Sequence, residues 1–422
     1  MPLAYLSLGS NQGDRRGYLE AAVRRLRATP GVRVTAVSPV YQTAPHGEGY
    51  EGLPPFLNAA VAVDTDLAPQ SLLRLLLEIE HQLGRVRPMP RSARTLDLDL
   101  LLYGEQVWDL PELTLPHPRM ADRAFVLRPL ADIAPAAVHP VLKRTARDLL
   151  GDLTDADRQA VALPKPPPGL AADTFRGVRV LVTGSTSGIG RATAEAFAAA
   201  GADVLVHGRR ADVAQAAADQ LRAFGGDCRA VVADLADPAA CDKLATQAWD
   251  PLGSGLGVLV CNAGADTLTG DAAKWPFERK LQELLAVDLV ATMRLGRAVG
   301  ERMKAAGRGV ILTVGWDQAE TGMEGDSGQL FAAVKAGVMG FTRSLALTLA
   351  PQVRVNCVAP GWVRTAWGET AGAAWQDRVR RETPLGVWGL PDDVAAAAVW
   401  LASPAAGFVT GQTIRVNGGA VR

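Results

Sequence analysis

Net charge is the first thing missing: Lys and Arg together number 44, and so do Asp and Glu. A chain so balanced offers no field for nucleic acid or an anionic membrane. Aromatic residues make up only 5% of it, too few for base-stacking surfaces. The four cysteines, Cys228, Cys241, Cys261 and Cys357, lie in the second half without CxxC spacing. Neither a disulfide framework nor a zinc site is expected from them. The start, Met1-Pro2-Leu3-Ala4-Tyr5, lacks a basic region and a cleavable apolar run. The longest uncharged stretch, Val394 to Ile414, is interrupted by Pro404, Gly407 and Gly411, so no membrane span is expected there. These absences predict a soluble cytoplasmic protein with neither nucleic-acid nor membrane partners. With 422 residues, 48% of them hydrophobic, the chain has material for two or three domains, each with its own core.

What is present centres on Arg94-Thr95-Leu96-Asp97-Leu98-Asp99, followed by Leu100, Leu101, Leu102 and Tyr103. Side chains alternate faces along a strand. Leu96, Leu98, Leu100 and Leu102 are therefore expected on one apolar edge, with Thr95, Asp97, Asp99, Leu101 and Tyr103 on the other. Two carboxylates aimed the same way repel unless something positive lies over them. A hard divalent cation fits, because Mg²⁺ is commonly held by one or two carboxylates plus substrate phosphate oxygens. Arg85, Arg87, Arg91 and Arg94 supply forked donors for phosphate just upstream. An edge strand with a wet acidic face satisfies the same spacing, and the strand alone does not choose.

Ala4 to Leu8 reads as a short strand ending in the turn Gly9-Ser10-Asn11, and Arg16 to Leu26 as a helix with Leu19, Ala22, Val23 and Leu26 on one side. Val32 to Tyr41 and Leu57 to Val63 read as strands. Pro69 to Leu83 predicts an amphipathic helix, with Pro69 suited to its first turn. Arg123 to Leu130 leads into a shorter final section. This order predicts an α+β sandwich over residues 1–155, helices packed on a mostly antiparallel sheet.

Five segments in order resemble the 6-hydroxymethyl-7,8-dihydropterin pyrophosphokinases: Leu8-Gly9-Ser10-Asn11, Phe56-Leu57-Asn58-Ala59-Ala60, Gly84-Arg85-Val86-Arg87, Arg94 to Asp99, and Pro116-His117-Pro118-Arg119-Met120. The resemblance covers nearly all of residues 1 to 150 and implies a ferredoxin-like fold. That family moves the β,γ-diphosphate of ATP onto the pterin hydroxymethyl group, releasing AMP, in folate biosynthesis. It implies that Asp97 and Asp99 bind two Mg²⁺ ions bridging the triphosphate, while Arg85 and Arg94 clamp phosphate oxygens as charge moves to AMP. It also implies ATP contacts from Glu80, His117 and Arg123, and a pterin site of Thr43, Phe56, Asn58 and Phe125. Taken singly, Phe56 and Phe125 read equally as core, Asn58 as a turn residue and His117 as a loop-shaping residue between prolines. The chain departs from the family in having Phe56 where Tyr is usual and Arg91-Ser92-Ala93 where Trp-Gly-Pro is usual.

Residues 156 to 177 contain Pro164-Lys165-Pro166-Pro167-Pro168-Gly169, which reads as a stiff spacer and domain boundary. Val178 to Val182 then reads as a buried strand, followed by Thr183-Gly184-Ser185-Thr186-Ser187-Gly188-Ile189-Gly190 and an alanine-rich helix. Strand, glycine turn and helix in this order let backbone approach a pyrophosphate at the helix N-terminus. A second strand, Asp203 to Val206, ends in His207-Gly208-Arg209-Arg210. Arginine in place of an acidic residue there suits the 2′-phosphate of NADP.

Together with Asp234, Asn262-Ala263-Gly264, Lys335, Pro360-Gly361-x-Val363-x-Thr365 and Gly418-Gly419, these features resemble the short-chain dehydrogenase/reductase family over roughly residues 176 to 420. The resemblance implies an α/β Rossmann fold, a doubly wound parallel sheet over residues 178–422, and a homo-oligomer. It implies NADP(H) contacts from Gly184, Ser187, Gly188, Ile189, Gly190, Arg209, Asp234, Asn262 and Lys335. The catalytic positions depart from the family's Asn, Ser, Tyr and Lys. Phe331 stands four before Lys335 in place of Tyr, Asp288 stands for Asn, and Trp316-Asp317 follows the strand Val310 to Gly315 where serine is expected. Carbonyl reduction through a tyrosine acid is not expected of such a site. Two readings stand. One is reduction of a C=N bond in a pterin or dihydrofolate, with Asp317 as acid beside Lys335. The other is a catalytically dead nucleotide-binding scaffold for oligomerisation, with Asp317 a solvated loop carboxylate.

Overall fold

The computed structural model describes residues 2–44, 54–85, 94–249, 255–267, 270–365, 368 and 371–420. Arg87, and Arg91-Ser92-Ala93 with its departure from the family pattern, lie outside these described residues. The chain divides into two compact units, Met1–Pro164 and Lys165–Arg422.

In the first unit, β1 (Leu3–Ser10), α1 (Arg15–Ala28), β2 (Val32–Val37), β3 (Tyr41–Thr43), β4 (Phe56–Thr65), α2 (Pro69–Gln82) and β5 (Asp97–Tyr103) follow in order. The hairpin β6 (Trp108–Leu110) and β7 (Leu113–Leu115), then α3 (Ala124–Ile133), α4 (Ala146–Asp152), α5 (Asp155–Gln159) and β8 (Val161–Ala162) complete it. The main sheet runs β5-β1-β4-β3-β8, antiparallel throughout, with β2 also pairing β4. The predicted strand from Val32 to Tyr41 is broken in two because Ser38 turns its side chain onto the sheet. Its Oγ accepts the Ala60 N–H at 2.8 Å, and Pro39 beside it has no N–H to continue a ladder.

One face of this sheet packs on α1 and α2, with Leu6, Leu8, Val61, Leu98 and Leu100 against Leu19, Leu26, Leu72 and Leu76. The other packs on α3 and α4 through Ala60, Leu101, Leu102, Leu127, Leu130 and Leu149. Leu102 therefore leaves the apolar edge expected of it. Tyr5 pairs with Leu102 while Leu6 pairs with Leu100, so Leu101 is an extra residue in β5. Such a bulge reverses side-chain parity beyond it. Tyr103 accordingly turns to the α1–α2 core.

The second unit contains β9 (Arg179–Val182), α6 (Gly188–Ala199), β10 (Asp203–Gly208), α7 (Ala211–Leu221), β11 (Arg229–Val232), α8 (Pro238–Ala248), β12 (Val258–Cys261) and α9 (Phe277–Leu284). A π-helical turn, Leu285–Val290, leads into α10 (Ala291–Ala305), then β13 (Gly309–Val314), α11 (Gly325–Leu349), β14 (Val353–Pro360), α12 (Ala373–Glu382), α13 (Pro391–Ala402) and β15 (Thr413–Val416). All seven strands are parallel, in the order β11-β10-β9-β12-β13-β14-β15. The order reverses between β9 and β12, the place where doubly wound sheets bind ligands at their carboxyl ends. Among the described residues α11 alone is long and apolar enough to cross a bilayer, by length and composition. Its Leu345, Ala346 and Leu349 lie in the core beneath β12, β13 and β14.

Both ends of the 156–177 segment are structured rather than spacer. Val161 in β8 is buried with Tyr41 and Ala124 in the first unit, and Phe175 packs edge-on to Phe197 at 5.0 Å in the second. The division between the two units falls at Pro164 and Lys165, within the proline-rich stretch.

Candidate functional site

In the first unit the pairing register collects the predicted residues. Asp97 lies opposite Gly9 and Gly9 opposite Asn58, one row across β5, β1 and β4 that Tyr41 extends onto β3. Asp99 lies opposite Ser7 in the next row on the same face. A Cβ on Gly9 would stand 3.5 Å from Asn58 Oδ1 and 3.8 Å from Asp97 Cβ. Glycine thus leaves open the space between amide and carboxylate. Asn58 is fixed by donating from Nδ2 to Thr43 Oγ1 at 2.9 Å.

Asp97 holds both predicted arginines: Oδ1 is 2.7 Å from Arg85 Nη1, and Oδ2 pairs with Arg94. Arg94 is placed by Asn11, whose Oδ1 accepts the Arg94 N–H at 2.7 Å while its own N–H donates to Arg94 O at 3.1 Å. Burial, and then the charge of Asp97, push the Asp99 carboxyl above its usual range, with His117, Arg123 and Arg85 opposing. Burial lowers His117, with Asp99 opposing, and its Nδ1 accepts the Arg119 N–H at 3.2 Å. The Arg123 guanidinium lies 5.4 Å from the centroid of Phe125. Phe56 and Phe125 are both half-buried, at the rim of the core rather than in it.

Glu80, expected to contact ATP, faces Arg85 and β5. It is 3% exposed, pairs with Arg85, and accepts the Leu98 N–H of β5 at 2.7 Å. A carboxylate so enclosed on α2 positions Arg85 from below. The donor set of Asp97 and Asp99 fits a hard cation. Among the described residues no group of three or more His, Cys, Asp or Glu is placed to hold a metal ion.

In the second unit the glycine turn is compressed against its neighbours. Gly184 has φ +66°, and a Cβ on Gly190 would lie 2.2 Å from Gly184 O and 2.4 Å from Asn262 Nδ2. Asn262 Nδ2 donates to Thr183 O at 3.0 Å, and Thr183 Oγ1 accepts the N–H groups of Asn262 and Ala263. Ser187 precedes α6 without capping it by its side chain. Ile189 is half-buried, while Arg209 is exposed just past the end of β10 and Asp234 is exposed in the turn after β11. Burial lowers His207 to about 4, so its ring is neutral; Nδ1 accepts the Gly184 N–H at 3.0 Å and Nε2 faces Ala233 O at 3.2 Å.

The positions that correspond to the family's Asn, Ser, Tyr and Lys form a closed arrangement. Lys335 Nζ lies 2.9 Å from Asp288 Oδ1 and donates to Val314 O at 3.1 Å. Phe331 meets Trp316 edge-on at 6.1 Å. Asp317 is 5% exposed, which overturns its reading as a solvated loop carboxylate. Its Oδ2 accepts from Asn417 Nδ2 at 3.1 Å and its Oδ1 is sealed without a hydrogen-bond partner among the described residues. Burial pushes this carboxyl upward, favouring the protonated form.

Sequence reasoning missed Asn11 as the clip on Arg94, Glu80 as a support for Arg85, and His207 as the acceptor of the Gly184 amide. His207 was signalled by a histidine between an apolar strand and a glycine. The Asp288–Lys335 pair had no signal in sequence spacing.

A family model for 7,8-dihydro-6-hydroxymethylpterin-pyrophosphokinase matches residues 5–135, and one for Enoyl-(Acyl carrier protein) reductase matches residues 184–421. A 2-amino-4-hydroxy-6-hydroxymethyldihydropteridine pyrophosphokinase of Methylorubrum extorquens is 49% identical over 154 residues, 36% of this chain and 94% of that protein. Its counterpart in Bacillus subtilis is 48% identical over 131 residues, 31% of this chain and 77% of that protein. Among solved structures, one from Beutenbergia cavernae assigned as an NAD(P)-dependent gluconate 5-dehydrogenase, with NADP bound at low occupancy, is 37% identical. It has a TM-score of 0.54 and covers 59% of this chain and 98% of its own. A 7α-hydroxysteroid dehydrogenase complexed with NADH and a 7-oxo bile acid is 30% identical, with a TM-score of 0.54, covering 59% of this chain and 97% of its own. The chain therefore belongs to two families at once, joining a dihydropterin pyrophosphokinase of folate biosynthesis to a short-chain dehydrogenase/reductase unit.

Proposed function

We propose that the kinase reaction is carried by the row from Asn58 to Asp97. Asn58, steadied by Thr43, reads the pterin edge between Phe56 and Phe125, and Asp97 with Asp99 holds Mg²⁺ on the ATP triphosphate. Bound Mg²⁺ supplies charge neutralisation for in-line attack by the pterin hydroxyl on the β-phosphorus. Arg85 and Arg94 turn from Asp97 to phosphate oxygens as charge develops on departing AMP. His117 and Arg123 contact the nucleotide, and Glu80 positions Arg85. The carrying observation is Arg85, Arg94 and Asp97 in direct contact, with the half-buried Asp99 in the next row of the same face. AMP release with ATP, Mg²⁺ and hydroxymethyldihydropterin tests it, since undiminished release by Asp97→Asn would refute the metal assignment.

The second unit, in this reading, binds NADP(H) through Gly184, Ser187, Gly188, Ile189, Gly190, Asp234, Asn262 and Lys335, with Arg209 on the 2′-phosphate. Bound NADPH would supply hydride to the carbon of a polarised C=N bond of a pterin or dihydrofolate, with Asp317 giving the proton to its nitrogen. The close packing of Gly184, Gly190 and Asn262 supports cofactor binding. NADPH oxidation in the presence of dihydropterins or dihydrofolate, lost in Asp317→Asn and Lys335→Ala, is the expected result. The sealed Oδ1 of Asp317 favours the second reading, a nucleotide-binding scaffold. NADPH binding without turnover would decide for it. Exposed Leu285, Val290 and Met293 along the π turn and α10, and Leu347 on α11, support a homo-oligomer through this unit. The four cysteines, all free, accord with a cytoplasmic setting.

A further inference from the structure

The π turn Leu285–Val290 carries Asp288 inward, where it is 1% exposed. Both carboxylate oxygens are engaged: Oδ1 with the Lys335 ammonium at 2.9 Å, Oδ2 with the Ala265 N–H at 2.8 Å. Lys335, itself buried, spends a further donor on Val314 O at the end of β13. Phe331, one turn earlier on α11, packs in the apolar cluster of Leu284, Leu289, Val334 and Ala265. A buried cation would be costly if uncompensated, and a lone buried carboxylate equally so. Asp317, the other acid nearby in sequence, is engaged with Asn417 instead.

We propose that Asp288 is the counter-ion of Lys335, a positioning residue that cancels the ammonium's field and ties it to the Ala265 loop. Phe331 then stands in a neutral environment, and the loss of a phenol there and the carboxylate at 288 form one coupled change. Restoring a phenol alone does not restore an activated acid. This holds whether or not the second unit turns over a substrate.

The test introduces a phenol as a reporter in the full chain. Phe331→Tyr and Phe331→Tyr/Asp288→Asn are titrated by tyrosinate absorbance against the parent chain, isolating the added phenol. The single variant is expected to ionise at or above the usual value of about 10. The double variant, with Lys335 uncompensated, is expected roughly 1–3 units lower. Equal titration of the two, or a phenol already depressed in the single variant, overturns the proposal. A second measurement stands independently of the reporter: thermal unfolding of Asp288→Asn, Lys335→Met and their combination. The double variant is expected to be more stable than either single one, because removing both charges leaves no orphan. Additive losses overturn the proposal.

Discussion

Replacing Glu80 by alanine isolates the support beneath the kinase arginines. The carboxylate accepts the Leu98 N–H at 2.7 Å and pairs with Arg85, whose side chain is only 12% exposed. Orphaning the buried N–H costs about 1–3 kcal/mol. Breaking a buried ion pair costs roughly 3–5 kcal/mol, discounted here because Arg85 keeps Asp97 at 2.7 Å. About 3 kcal/mol in all is expected, which for a unit of this size lowers its melting transition by roughly 6–12 °C. Calorimetry of the full chain reads this in the transition that an ATP analogue shifts. The freed guanidinium no longer meets phosphate in one geometry, so AMP release is expected to fall roughly 100-fold. Glu80→Gln keeps an acceptor for Leu98 and should recover more stability than rate. A raised KM for ATP in Glu80→Ala without a fall in melting temperature would refute the support and make Glu80 a nucleotide contact.

Asp97→Asn is expected to lower AMP release by at least roughly 100-fold while far-ultraviolet circular dichroism stays unchanged. Gly190→Ala drives a methyl to 2.2 Å from Gly184 O, so NADPH binding, followed by fluorescence, should be lost with about 1–3 kcal/mol of stability. For His207 the folded chain titrates at about 4 and the unfolded chain at 6.5. The unfolded state takes up the proton first as pH falls, so this contribution is full above 6.5 and is lost between 6.5 and 4. It amounts to about 3 kcal/mol, and denaturant melts of the second unit at pH 7 and 4.5 should differ accordingly, with His207→Gln flattening the difference.

Much of this arrangement could be read from the residues because it rests on strand parity. Leu98 and Leu100 on the core side, with Asp97 and Asp99 opposite, follow from alternation alone. Alternation fails at Leu101, where the register slips by one, because a bulge depends on partner strand β1 and not on β5 itself. The glycine turn was legible because φ +66° at Gly184 and the near-contact at Gly190 demand glycine. The direction of Glu80 was not legible, because resemblance transfers a residue to a site without its direction, and direction comes from packing of α2 on β5. Asp288 and Lys335 lie 47 positions apart and meet only through the π turn and the sheet order. No local pattern carries such a contact.

The row Asn58–Gly9–Asp97 also acts as a ruler. Neighbouring strands lie about 4.8 Å apart, so the Asn58 and Asp97 backbones stand roughly 10 Å apart along the hydrogen-bonding direction, with the space over Gly9 between their side chains. With the roles proposed above, that step would set the reach between the pterin ring edge read at Asn58 and the triphosphate-bound cation held at Asp97. On that reading, selection for reach would rest on hydrogen-bonded backbone, which side-chain substitutions at the rim would not retune. Larger or shorter analogues should fail by losing one end, not by crowding the middle, where glycine leaves room.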